Sequence, residues 1–91
     1  MKPIHPGRIL KREMLVRGLS ANRLALRVPS GRITQIISGK RGISAETAPR
    51  LARYFGNSAQ FWMNLQSRYY LAEVEKNIGS KVIAEVEHAT I

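Results

Sequence analysis

Ninety-one residues, 44% of them hydrophobic, suffice for one small domain with a thin core. The lack of cysteine excludes a disulfide framework and a Cys-based metal site. The opening stretch MKPIHPGRILKREML has no apolar signal segment and no apolar run nears the ~18 residues of a membrane span, so the expected compartment is the cytoplasm. The formal net charge of +9 is uneven: residues 1–57 hold twelve of the fifteen Lys and Arg with Glu13 and Glu46 as their only acids, whereas residues 58–91 hold three bases against four glutamates, a split that suggests one half binding a polyanion and one half meeting protein.

In chain order, Pro6 suits the first turn of a helix, where its missing N–H costs nothing. Ile9, Leu10, Met14 and Leu15 recur at helical spacing and Gly18 stops the run, predicting a helix over about 6–17. Ser20 is a good N-cap for a second helix over about 21–27, carrying Leu24 and Ala25. Val28-Pro29 ends it, because the residue before proline avoids the α region. Ser30 reads as the cap of a third helix over about 30–38, with Ile33, Ile36 and Ile37 inward and Gly39 closing it. Ser44 caps a fourth over about 45–55, holding Ala48, Leu51, Ala52 and Phe55 and ended by Gly56. Ser58 caps a fifth over about 59–77, whose apolar stripe is Phe61, Trp62, Leu65 and Tyr69. Gly79 is expected to interrupt, leaving 78–91 as a tail for a dimer or partner contact. There Val82, Ala84 and Val86 alternate as in a short strand, while Val82, Ile83 and Val86 suit a helical turn equally. The expectation is an all-α bundle of five helices.

The second and third helices, joined by a tight turn, make a helix-turn-helix candidate, whose second member enters the major groove with its N-terminal residues toward base edges. With Ile33, Ile36 and Ile37 inward, a step of 100° per residue turns Arg32, Gln35 and Ser38 outward, with Ser30, Gly31 and Thr34 at the leading edge. Arg pairs bidentately with guanine and Gln with adenine; Ser and Thr serve a base or a phosphate. Gly31 leaves room for close approach to a backbone. Lys40 and Arg41 just past the helix, and Asn22 and Arg23 at the start of the second, suit phosphates. The bland alternative is a solvated helix face. Phe61, Trp62, Leu65 and Tyr69 read first as core, with part of a dimer face as their second use. His5 has no Ser, Cys or carboxylate partner in the pattern, and neither a catalytic, a metal nor a cofactor site is expected.

The segments IHPGRIL, GLSANRLA, VPSGRI, SGKRGISAETA, RLARYFG and FWMNLQSRY together resemble the HigA-type (VapI-like) antitoxins, a branch of the λ-repressor-like, XRE-type helix-turn-helix proteins, from about Ile4 to about Glu75. The resemblance implies an antitoxin of a type II toxin–antitoxin module. Such a protein dimerises, binds double-stranded operator DNA in its own promoter, and neutralises a HigB-type, RelE-like mRNA-cleaving toxin. It places Ser30, Arg32, Thr34 and Gln35 on the recognition helix and Lys40 and Arg41 in the basic loop. The alternative is a stand-alone, prophage-like repressor without a toxin.

Two departures carry expectations of their own. Leu24-Ala25-Leu26-Arg27-Val28-Pro29 is about two residues shorter than the family's usual L-A-x-x-L-x-V-P. Two residues are ~200° of helical phase, so the second helix must shorten or rewind for Leu24 and Val28 both to keep their places. Pro49 stands where leucine is common; inside a helix it would cost roughly 3 kcal/mol. A loose first turn is expected, with the regular helix starting near Ala48–Arg50.

Overall fold

The computed structural model describes residues 3–20 and 26–89 and is all-helical there. Its helices are α1 (Pro6–Val16), α2 (Ser30–Ile37), α3 (Thr47–Phe55) and α4 (Ala59–Glu85). These are four of the five expected elements. The expected second helix falls mostly on 21–25, outside the described residues; Leu26–Val28 that follow are bends.

α1 packs on α2 and α4, and α3 packs on α4. Leu10 and Met14 from α1, Ile33 and Ile36 from α2, Leu51 and Phe55 from α3 and Trp62 from α4 meet in one core, joined by Leu26 and Ile43 from the connections. Trp62 is its largest member and fully buried, with the indole N–H donating to Asn57 Oδ1 at 2.7 Å. A buried indole needs such a partner.

Each helix starts for a local reason. Pro6 is the first residue of α1, as expected, but the cap is His5, whose Nδ1 accepts the Gly7 N–H at 2.9 Å. Gly7 itself permits the α1–α2 contact: a Cβ there would collide with the Ile36 carbonyl. Ser30 is the first residue of α2 rather than its cap. Pro29 holds the cap position in extended backbone, with Arg32 N–H donating to its carbonyl at 3.0 Å. The shortened link is closed by Arg27, whose φ of 60° rewinds the chain so that Leu26 enters the core. Ser44 Oγ accepts the Thr47 N–H at 3.2 Å, and residues 45–46 form a turn before the regular helix begins at Thr47, the loose start that Pro49 demands.

α4 departs from expectation. Ser58 caps it, accepting the Phe61 N–H at 3.0 Å, but the helix runs through Gly79 to Glu85. An interior glycine costs about 1 kcal/mol relative to alanine without forcing a break, and the turn beyond it carries a Lys81–Glu85 pair at 3.8 Å. Neither the interruption at Gly79 nor a strand at Val82–Val86 is present. The first half of α4 packs on the bundle; beyond it Leu71, Val74, Ile78 and Val82 are exposed.

The His5 cap is titratable. Burial holds its imidazole below the ordinary 6.5, and protonating Nδ1 would replace the acceptor with a donor. A folded-state value below the unfolded one contributes stability that is full above about pH 6.5 and is lost as pH falls through the folded value. His5→Ala should cost about 1 kcal/mol at pH 7.5 and much less at pH 5. His5→Asn, an acceptor that does not titrate, should flatten the dependence. Thermal melts of the three proteins across that range check it; parallel pH profiles would contradict the cap.

Candidate nucleic-acid interface

An eight-residue helix has no stability of its own in water, so the direction of α2 is decided by packing. Ile33 and Ile36 are 1% and 0% exposed, and Ile37 is half-buried at the edge. Their placement turns Ser30, Gly31, Thr34, Gln35 and Ser38 to the surface and leaves Arg32 half-buried on the flank. The polar face predicted by periodicity is therefore outward. After the helix, Gly39 adopts φ 81°, and the chain turns so that Lys40 and Arg41 N–H groups both donate to the Gln35 carbonyl, at 2.9 and 3.2 Å. The two bases of the loop are thereby held beside the end of α2, both exposed. Asn22 and Arg23 lie outside the described residues.

The side chains are partly pre-engaged. Thr34 Oγ1 donates to the Ser30 carbonyl at 3.1 Å, and Ser38 Oγ donates to the Gln35 carbonyl at 3.1 Å. Arg41 Nε donates to Gln35 Oε1 at 2.9 Å. That bond takes one of the two lone pairs of the amide oxygen and fixes the plane of the Gln35 amide, leaving the other lone pair and the amino group for the bidentate pair with adenine. Among the described residues, the two glutamates of the basic front are paired with arginines, Glu46 with Arg50 at 4.0 Å and Glu13 with Arg17 at 3.4 Å. The surface is cationic and rich in donors.

Of the aromatic and apolar residues predicted for core or dimer, Trp62 is core, Leu65 is packed partly against it, and Tyr69 sits edge-on to His5 at 4.8 Å between ring centres. Phe61 faces out, with its ring edge-on to Trp62 at 5.3 Å.

Sequence reasoning missed Gln66. It is fully buried, and its Oε1 accepts the Ile43 N–H at 2.6 Å, tying the basic loop to α4. Its amino group has no partner among the described residues. The spacing from Trp62, one helical turn, was the available signal; its polarity argued for solvent instead. Tyr70 and Gly42 were missed as well, and they meet above Gln66: a Cβ on Gly42 would strike the Tyr70 hydroxyl and the Gln66 amide.

Known proteins share this fold. The chain is 50% identical over 80 residues to virulence-associated protein I of Dichelobacter nodosus, a match spanning 85% of this chain and 74% of that protein. It superposes on an addiction module antidote protein of the HigA family from Coxiella burnetii with a TM-score of 0.93 and 44% identity, covering 98% of this chain and 100% of that one. Pseudomonas aeruginosa antitoxin HigA, solved with the higBA promoter, gives a TM-score of 0.92 and 45% identity over 97% of this chain and 99% of that one. No protein-family model matches the chain.

Gly31 offers a clean probe of the face. A Cβ there meets no atom within 4 Å, so the fold does not require glycine. Gly31→Ala should raise stability by about 0.5–1 kcal/mol, and, on the expectation that this glycine leaves room for a duplex backbone, should weaken binding to duplex DNA. A thermal melt and a DNA titration on one preparation read both. A variant that is more stable and binds DNA unchanged would remove Gly31 from the interface.

Proposed function

Since the chain belongs to the HigA-type, VapI-like branch of the XRE-like helix-turn-helix antitoxins, we propose that it is the antitoxin of a type II toxin–antitoxin module, which binds operator DNA as a homodimer, represses its own operon and neutralises a HigB-type, RelE-like mRNA-cleaving toxin. The observation that carries the DNA half of this reading is the outward polar face of α2, locked by Ile33 and Ile36 and flanked by Lys40 and Arg41.

The mechanism follows from that face. α2 enters the major groove, Arg32 and Gln35 read base edges, and Ser30, Thr34 and Ser38 contact bases or phosphates at the groove wall. Lys40 and Arg41 neutralise phosphates beside it, with Asn22 and Arg23 as further backbone contacts. A homodimer places two such helices one turn of duplex apart, roughly 34 Å, and so reads a palindrome. The outer half of α4 supports the dimer. Leu71, Val74, Ile78 and Val82 recur at three- and four-residue steps on an exposed helix, the spacing of a face that pairs with another helix. The likeness to an addiction module antidote protein of Coxiella burnetii supports the toxin-neutralising part of this reading.

Titration of a labelled fragment of the chain's own promoter against random duplex tests the reading. Promoter binding should be preferred, and affinity should fall by about 10³-fold or more between 50 and 200 mM salt if six or more phosphates are contacted. Gln35→Ala should lose about 1–3 kcal/mol of discrimination at particular base pairs. Lys40→Ala should weaken all sequences alike and lower the salt slope by about 1. Equal affinity for promoter and random DNA would refute operator recognition, and failure to restore growth when co-expressed with the toxin from the neighbouring reading frame would refute the antitoxin role.

A further inference from the structure

Between α2, the basic loop and α4 lies a cleft of about 240 Å³, lined by Arg32, Arg41, Gly42, Ser44, Thr47 and Tyr70 beside Ile43. Its chemistry is one-sided. No carboxylate lines it, and neither arginine is in an ion pair among the described residues. Arg41 spends only Nε on Gln35, which leaves both terminal amino groups for a ligand. Ser44 and Thr47 share one hydroxyl–hydroxyl bond at 3.1 Å, so one O–H of the pair remains to donate whichever way that bond runs. The same two residues stand at the start of α3, where the helix dipole is positive.

Tyr70 completes the cleft from α4. Its hydroxyl rests on Gly42, where only a glycine lets it come so near. The wall behind is rigid, because buried Gln66 holds the Ile43 N–H. Two guanidiniums, a spare aliphatic hydroxyl and a phenol around a small volume match a compact oxyanion. Arg32 belongs to both the cleft and the flank of α2, so an anion seated here lies beside the groove-reading helix.

We propose that this cleft seats one backbone phosphate of duplex DNA next to the bases that α2 reads, with Tyr70 as a DNA contact supplied by α4. The inference rests on the operator-binding reading and deepens it: the last helix, expected to serve core and dimer, also grips the duplex.

The test pairs wild type and Tyr70→Phe with promoter duplexes in which the phosphates flanking a half-site are replaced one at a time by neutral methylphosphonates. Tyr70→Phe should bind promoter and random DNA about tenfold more weakly. Its thermal midpoint should match wild type, and its salt slope should too, because no charge is removed. At one linkage the methylphosphonate should penalise wild type and penalise Tyr70→Phe much less. Equal sensitivity of both proteins at every linkage overturns the phosphate seat while leaving operator binding intact. Competition by millimolar inorganic phosphate at constant ionic strength overturns it in favour of a free-anion site. A wild type without promoter preference removes the operator reading, and the seat with it.

Discussion

The burial of two isoleucine side chains decides the character of this surface. Ile33 and Ile36 are buried in the same core as Leu10 and Met14 of α1, and their burial sets how α2 is turned about its axis. Removing either side chain to alanine would cost about 2–5 kcal/mol. Domains of this size are stable by only about 5–15 kcal/mol, so the orientation of the polar face is inseparable from the fold. Gly7 adds a steric condition, since α1 approaches the Ile36 carbonyl too closely for any side chain. α2 is thus clamped by α1.

From that clamp a chain of hydrogen bonds leads outward. Gln66 in α4 holds Ile43, the loop before Ile43 carries Lys40 and Arg41, and Arg41 holds the Gln35 amide. The buried end is shielded from water, where an unmade bond costs most. The exposed end exchanges easily with a ligand. Such an arrangement fixes the Gln35 and Arg41 side chains in advance, which lowers the entropy lost when a ligand binds them. Charge follows the same division: residues 1–57 hold twelve of the fifteen Lys and Arg against two glutamates, whereas residues 58–91, most of them in α4, are near neutral.

Much of this was legible in the residues. Isoleucines at 33, 36 and 37 define an inward face by period alone, and Pro6, Ser58 and Gly56 mark ends that the structure keeps. Pro49 was legible as a loose first turn because a proline ring excludes a regular helix before it. What escaped depends on long-range packing. His5 caps α1 although histidine is not among the favoured caps, and Ser30 does not cap α2 because Pro29 already holds the extended conformation there. Gln66 reads as solvent-facing until Ile43, twenty-three residues away, supplies the donor that permits its burial. Gly79 reads as a stop, yet the local cost of a glycine is small against a helix of 27 residues. Phe61 shares a helical stripe with Trp62, but one residue is 100° of turn, and only the indole points to the core.

The central claim, that the polar side of α2 is what meets duplex DNA, is tested most directly by following backbone amide resonances during titration with the promoter half-site. The account predicts that the largest shifts fall on Gly31, Arg32, Thr34 and Gln35, extend through Lys40 and Arg41, and leave the far side of α3 unmoved. Shifts gathered on Pro49–Tyr54 or along the outer half of α4, with α2 silent, would contradict it.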